Sequence, residues 1–275
     1  MKRNIASATV LALALLGLAG PAQASTRVLS HVEFVNKVNR ADPTLAGKAY
    51  GNGFGTIGAD KGQTHVPDVG QAAWGFKHLA GFIDAVSSIP EGDWVLYDFE
   101  SPGSEPDSLH PRYSIRRFTS VAHAHGHKVV LIMGIGHMAR DASQNGCFAH
   151  ARETYFAAWK RCALPAVAQA AGTDLFVLQT QPYVCEPESF LEFAAITRHQ
   201  FHRTLFLEET LKSSRPCVTP GLMYWNFRHA LERRLTSGLC LWSGGSRPGT
   251  QQPILTKPEQ LVAGMKLLRR MVATL

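Results

Sequence analysis

The sequence predicts an α/β fold, a TIM-type (β/α) barrel, with allowance for an irregular or incomplete N-terminal part. From residue 70 onward, apolar strand-like segments alternate with amphipathic helical segments, which is typical of a parallel sheet covered by helices. The loops after the strands are also longer and richer in Gly, Pro, Cys and aromatic residues than the loops after the helices. That asymmetry favours a barrel whose active face lies at the carboxyl ends of its strands.

The individual elements follow from the hydrophobic period and from the residues that begin and end helices. Strands are predicted at 48–55, 94–100, 128–136, 174–183, 204–211 and 238–244. Helices are predicted at 71–88, 111–125, 165–171, 187–202, 220–237 and 257–272. The segment 28–34 is ambiguous. A doubly wound open sheet is the alternative, but no glycine-rich phosphate-binding turn follows any strand.

Residues 1–24 are predicted to be a secretory signal peptide, and residues 25–275 a single barrel domain of catalytic type. Two basic residues precede a short apolar run, and Ala22-Gln23-Ala24 forms a small-x-small cleavage site. The apolar run is too short to span a membrane. We therefore expect a secreted, extracellular protein without stable membrane insertion.

The charge of the mature chain gives little sign of a nucleic-acid partner. The leader holds two of the 28 basic residues and none of the 21 acidic ones, so the mature chain carries 26 against 21, a formal charge of +5. The basic residues are scattered and form no stripe interleaved with aromatic residues. We expect a monomer that does not bind nucleic acid.

Polar side chains gather where the predicted strands end. Side chains alternate between the two faces of a strand, so Asp98 and Glu100 share one face of "DWVLYDFE". Two carboxyl groups this close cannot both ionise freely, so the pKa of one rises and that group can act as a general acid. The same parity, and the positions where the predicted strands end, indicate further candidate residues: Gln179, Gln181, Tyr183, Glu208, Trp242 and His137. Asn52 is added from segment 48–55. Acids, amides, a phenol and an indole together suit a sugar.

The segment 93–100 resembles the DGxDxDxE strand of family 18 glycoside hydrolases, the chitinases and endo-β-N-acetylglucosaminidases. Asp93, Asp98 and Glu100 match this pattern, whereas Leu96 stands where the family has an aspartate and Trp94 where it has a glycine. The order of the later strands also agrees, if the strand with this motif is counted as the fourth. The whole mature chain is also similar to exported actinobacterial barrel proteins with an "LYDxE" strand.

The resemblance implies a role for each matching residue. Glu100 would be the acid, Asp98 would orient a substrate acetamido group, Tyr183 would steady the intermediate, and Trp242 would form the floor of a sugar subsite. Gln179, Gln181, Glu208, His137 and Asn52 complete the predicted substrate-binding set.

The function expected from these observations is a secreted glycoside hydrolase that cleaves a polysaccharide or glycan, such as one that contains N-acetylhexosamine, with Glu100 as general acid. Its expected partner is a carbohydrate polymer or glycan, and no cofactor is expected. Leu96 leaves open a barrel that binds glycans without cleaving them. A metal-dependent phosphoester hydrolase built on Glu100, Glu208 and His137 is the third alternative. The "HAHGH" segment at 123–127 is not expected to bind a metal, because it straddles a helix end on the face opposite the active one.

Five cysteines lie in the mature chain, an odd number, so at least one stays outside any intramolecular disulfide. Cys147 and Cys162 enclose the excursion after one strand, and Cys185 and Cys217 each follow one of two neighbouring strands. We predict the bridges Cys147–Cys162 and Cys185–Cys217, and a buried thiol at Cys240. A continuous helix over 150–171 is the competing interpretation, and it would hold the first pair about 20 Å apart at about 1.5 Å per residue.

Overall fold

The protein is a closed barrel of eight parallel strands. Within the described residues a helix follows every strand except the second, and the helices cover the outer face of the barrel. The structure, a computed structural model, describes residues 27–59, 65–99, 107, 110–134, 147, 153–211, 215–242 and 257–274. Neighbouring strands pair in chain order, and the last strand closes the barrel against the first. The predicted TIM-type fold is confirmed.

The described elements are these. The strands are β1 (Arg27–His31), β2 (Phe54–Gly58), β3 (Gln71–Phe76), β4 (Trp94–Asp98), β5 (Lys128–Met133), β6 (Leu175–Gln179), β7 (Thr204–Thr210) and β8 (Gly238–Trp242). The helices are α1 (Val32–Ala41), α2 (Pro43–Tyr50), α3 (Leu79–Ala85), α4 (Pro111–Ala124), α5 (Tyr155–Cys162), α6 (Leu164–Ala171), α7 (Pro187–Gln200), α8 (Pro220–Glu232) and α9 (Pro258–Thr274). The strand that carries Asp98 is the fourth, as predicted.

The N-terminal part of the barrel is regular, unlike the irregular part that the sequence allowed for. The predicted strand at 48–55 is in fact the end of α2 and the start of β2. The helix predicted at 71–88 is also wrong, since β3 occupies its first third and α3 follows. Pairing with β2 and β4 supplies the backbone partners of β3, and this tertiary context overrides the helical pattern.

Alternation along the strands divides the apolar residues between two regions. One set fills the barrel lumen, and the other packs between the strands and the helices. The lumen set consists of Leu29, Phe54, Ala73, Trp94, Leu96, Val130, Ile132, Leu175, Val177, Phe206 and Cys240. The interior of the barrel is therefore a packed core with polar side chains at its two ends, and the carboxyl end is the one where TIM-type barrels carry their active sites.

Both predicted disulfides are present. Cys147 and Cys162 have Cα atoms 4.9 Å apart, and those of Cys185 and Cys217 are 5.8 Å apart. Cys240 is a buried free thiol. The competing helix over 150–171 does not form as one piece: α5 begins only at Tyr155, after its Thr154 cap, which leaves Cys147 in the chain before the helix and Cys162 at its last position. Ala163, whose φ of 53° lies in the left-handed region, separates α5 from α6. Two disulfides are consistent with an oxidising compartment.

The leader lies outside the described residues. Among the helices that the structure describes, none is both long and apolar enough to cross a membrane.

Candidate active site at the carboxyl end of the barrel

The carboxyl ends of the strands form the mouth of the barrel, where the lumen changes from apolar to polar. On β4 the inward residues are Trp94, Leu96 and then Asp98, and on β7 they are Phe206 and then Glu208. The same change occurs on β6, where Gln179 follows inward-facing apolar residues. Parallel strands bring these ends to one face, so the polar side chains converge there.

Lys77 and Asp98 form an ion pair at the mouth. Lys77 follows β3 directly, and its Nζ lies 3.8 Å from Asp98 Oδ2. The side chains are 35% and 18% exposed, respectively. Sequence reasoning missed Lys77 because it assigned this segment to a helix. As a strand, "QAAWGF" continues with Lys77 on the inward parity of Ala73, and that parity is the signal that identifies it.

Asp107 fixes the chain that follows β4. The Tyr97 hydroxyl donates to Asp107 Oδ2 at 2.6 Å, and the Leu79 amide donates to the same oxygen at 2.5 Å. Ser114 Oγ also donates to the Asp107 carbonyl oxygen. Burial, followed by the Asp107 hydrogen bond and charge, raises the pKa of Tyr97 well above its usual value, so the phenol remains a donor. Asp107 thereby links the end of β4 to the first residue of α3 and to the first turn of α4.

Glu208 lies deeper than the Lys77–Asp98 pair. It is fully buried, and its carboxylate accepts a hydrogen bond from Gln181 Nε2. Gln179 is its register partner on β6. Gly134 opposes the Gln179 side chain so closely that a Cβ there would lie 2.6 Å from Gln179 Oε1. A glycine is therefore needed at 134 to admit that amide.

The Cys240 thiol lies in the lumen beneath these acids. Burial raises its pKa well above the usual value, and the charges of Glu208 and Asp98 raise it further. Cys240 is the register partner of Glu208 on β8, and β4 with Asp98 lies opposite β8 in the barrel. The thiol therefore stays protonated and serves as part of the floor.

An aromatic wall closes one side of the mouth. Trp242, at the end of β8, stacks on His31, at the end of β1, with ring centres 3.8 Å apart. Thr56 Oγ1 lies 3.3 Å from His31 Nδ1 and helps to orient the imidazole. Trp242 is at the mouth as predicted, but His31 was missed because segment 28–34 was ambiguous.

Two predicted residues lie away from the mouth. β6 ends at Gln179, and the chain turns into a short 3-10 segment, Gln181–Tyr183, so strand parity no longer applies. Tyr183 instead packs beside Phe156 and Phe193, among the covering helices. Asn52 is exposed in the connection between α2 and β2, at the amino end of the barrel.

Two further predictions cannot be placed. Glu100 and His137 lie outside the described residues, so their predicted roles stay predictions. Glu209, the neighbour of Glu208 in the chain, faces the outer layer and is fully buried there.

The described residues contain no group of three or more His, Cys, Asp or Glu side chains that could hold a metal ion. In the "HAHGH" segment, His123 Nε2 lies 3.0 Å from Asp174 Oδ2. Asp174 immediately precedes β6, so this pair lies at the amino end of the barrel, away from the mouth.

Comparison with known proteins gives matches of structure but not of sequence. No protein-family model and no curated protein matches the chain. A pyruvate carboxylase variant from Rhizobium etli, crystallized without acetyl coenzyme A, has a TM-score of 0.44 and 9% identity, over 91% of this chain and 28% of the carboxylase. The carboxyl transferase domain from the same enzyme with 3-hydroxypyruvate has a TM-score of 0.49 and 9% identity, over 90% and 48% of the two chains.

A third match is the N-terminal domain of "a putative aldolase" from Bacteroides vulgatus, with a TM-score of 0.45 and 10% identity over 90% of this chain and 85% of that one. At such identities the likeness concerns the fold alone. The chain spans less than half the length of the two carboxylase chains.

The predicted glycoside hydrolase is wrong on these findings. The matched structures described above are a pyruvate carboxylase variant, the carboxyl transferase domain of that enzyme and the N-terminal domain of "a putative aldolase", and none is a glycoside hydrolase. The geometry also departs from the family 18 pattern. Leu96, which stands where the family has an aspartate, is an apolar lumen residue, and Tyr183 packs outside the barrel among the covering helices. The chain is a closed, eight-stranded parallel barrel of the TIM type, with an ion pair, a buried acid–amide pair and an aromatic wall at its mouth.

Proposed function

We propose that the protein is a barrel enzyme that transfers a proton at a carbon atom next to the carbonyl group of a small substrate. The Lys77–Asp98 pair carries this proposal. Its cation and carboxylate are 3.8 Å apart at the mouth, and both remain partly open to solvent. Most TIM-barrel enzymes place their reacting groups at this face.

The chemistry requires a base for the carbon-bound proton and a positive charge for the oxygen. Asp98 accepts the proton as the C–H electron pair forms the enolate double bond and the carbonyl π electrons move to oxygen. The Lys77 ammonium stabilises the resulting oxyanion. Return of the proton from Asp98 to carbon regenerates a carbonyl compound, so the step balances without an oxidant or a cofactor.

Asp98 is assigned as the base in preference to Glu208 because its side chain is the more exposed of the two. The side chain of Asp98 is 18% exposed, whereas Glu208 is fully buried beneath Gln181. A substrate in the mouth therefore reaches Asp98 directly. Glu208 acts through the amide that it holds.

Deuterium exchange tests the proposal. The protein is incubated in D₂O with 2-oxo acids and hydroxy ketones of about three to six carbons, and incorporation at carbon is followed by NMR. We expect exchange with at least one compound, a loss of about 10²–10⁴-fold in Asp98→Asn, and a loss of about 10²–10³-fold in Lys77→Met.

Matched controls lie at the opposite end of the barrel. Lys128 begins β5 and lies over the Trp94 ring, 5.5 Å from its centre. Asp93 accepts a hydrogen bond from Trp74 Nε1 at 2.8 Å. Lys128→Met and Asp93→Asn should keep the exchange rate of the wild type. No exchange across the series, or equal exchange in Asp98→Asn and the wild type, would overturn the proposal.

Borohydride treatment separates this mechanism from one that uses a lysine imine. Asp98 stabilises the positive charge on Lys77, which favours electrostatic rather than nucleophilic use of the amine. We expect no reduced adduct on Lys77 by mass spectrometry. An adduct at that residue would assign the enzyme to the imine-forming class.

Secretion of the mature chain is a separate proposal, supported by the leader sequence and by the two disulfides. Protein recovered from culture medium should begin near Ser25 on N-terminal sequencing. Retention of the full leader on the recovered protein would contradict it.

A further inference from the structure

The turn between β6 and α7 is fastened to the neighbouring strand β7 and helix α8 along its whole length. Backbone anchors hold its two ends, since Thr180 Oγ1 donates to the Glu208 carbonyl at 2.6 Å and Asn226 Nδ2 donates to the Val184 carbonyl at 2.9 Å. Between them Arg215 donates to the Pro182 carbonyl. The disulfide at Cys185 closes the turn. The position of Gln181 is therefore fixed by contacts on both sides.

Glu208 also fixes the orientation of the Gln181 amide. The Gln181 NH₂ group donates to Glu208 Oε1, so that end of the amide faces the buried acid. The carbonyl end of a planar amide then points away from the buried acid. Gln181 is partly exposed while Glu208 is fully buried, so the oxygen is the end offered to the mouth.

We propose that Gln181 is a specificity-determining residue and that Glu208 is its positioning residue, so that the site selects substrates with a hydroxyl group near the reacting carbonyl. The inference rests on the proposed function and names its substrate class as hydroxylated carbonyl compounds. An amide oxygen with fixed orientation accepts a hydrogen bond from a hydroxyl group and offers nothing to a methyl or methylene group. A free glutamine would rotate and satisfy either a donor or an acceptor.

Binding of a matched pair of ligands tests this selection independently of turnover. The probes are 4-hydroxy-2-oxobutanoate and 2-oxobutanoate, which differ by one hydroxyl group, measured by isothermal titration calorimetry on the full mature chain. We expect the hydroxylated compound to bind the wild type about three- to tenfold more tightly, the range of one neutral hydrogen bond. Gln181→Met should abolish that preference and leave the affinity for 2-oxobutanoate within about twofold.

Glu208→Gln separates positioning from folding. The replacement keeps the shape of the side chain but offers both a donor and an acceptor, so the Gln181 amide can face it with either its NH₂ group or its oxygen. The preference for the hydroxylated ligand should therefore fall, while the melting temperature and the affinity for 2-oxobutanoate change little. A variant that loses affinity for both ligands equally would show a merely structural role and overturn the inference. Equal binding of the two ligands by the wild type, or no binding of either, would overturn it as well. A preserved preference without deuterium exchange would overturn only the proposed reaction.

Discussion

Glu209 should make the protein less stable as the pH rises, and Glu209→Gln should remove that dependence. Glu209 and Asn226 are fully buried between β7 and α8. Asn226 uses its N–H on the Val184 carbonyl, and within the described part of the chain neither Glu209 oxygen nor Asn226 Oδ1 has a hydrogen-bond partner of normal geometry. Burial raises the pKa of Glu209 well above its usual value, although Asn226 opposes this. If the Glu209 carboxyl is protonated, it can donate a hydrogen bond to Asn226 Oδ1, which gives a partner to the carboxyl group and to the amide oxygen.

The sign of the effect follows from proton binding. The unfolded chain releases the Glu209 proton near its ordinary pKa of 4.5, whereas the folded chain retains it. Between the unfolded and folded pKa values the native state binds one more proton, so the free energy of unfolding falls by at most about 1.4 kcal/mol per pH unit. A glutamine has no proton to lose, and its NH₂ group can donate to Asn226 Oδ1.

Urea unfolding of the oxidised protein at pH 5, 6, 7 and 8 measures this. The difference in free energy of unfolding between Glu209→Gln and the wild type should grow with pH in favour of the variant. Glu232→Gln is the matched control on α8. Arg228 lowers the pKa of Glu232, so that carboxylate is ionised in both states throughout the range and its difference should stay constant. Parallel pH curves for Glu209→Gln and the wild type would refute the reasoning, because they would mean that Glu209 is charged in the folded protein.

Three further outcomes are expected. Mild reduction should open the Cys185–Cys217 bridge before the Cys147–Cys162 bridge, because Cys217 is exposed whereas Cys147 and Cys162 are buried. Alkylation and peptide mapping measure the order, and simultaneous opening would contradict this expectation. Replacement of Cys185 and Cys217 by serine should lower the free energy of unfolding in urea by about 2–4 kcal/mol. Ala163→Gly should raise the free energy of unfolding by about 1 kcal/mol, since the residue has a left-handed backbone, and a lower value would argue against that conformation. Gly134→Ala should destabilise the barrel by about 1–3 kcal/mol because its Cβ would overlap the Gln179 side chain; unchanged stability in thermal unfolding would show that the amide has room to move.

Much of the C-terminal part of the barrel could be predicted from sequence patterns alone. Strands β4 to β8 have strong apolar runs bounded by prolines and glycines, and their parity correctly placed Asp98, Glu208 and the Cys240 thiol in the lumen. The Cys185–Cys217 pairing also followed from the chain, because loops after neighbouring parallel strands meet on one face. The Cys147–Cys162 pairing followed because both cysteines lie in the one excursion after β5. These features depend on local period and on strand order, and both can be read from a single sequence.

Tertiary structure alone decided the rest of the site. β3 has a helical apolar pattern but becomes a strand because β2 and β4 pair with it, and that pairing brings Lys77 to Asp98. Strand parity predicted Tyr183 in the lumen, but the chain leaves the sheet after Gln179 and directs the ring to the covering helices. The stacking of His31 on Trp242 depends on closure between β1 and β8. Each of these contacts joins different elements of the fold, so its geometry is set by strand pairing, helix packing and barrel closure, which local sequence patterns do not encode.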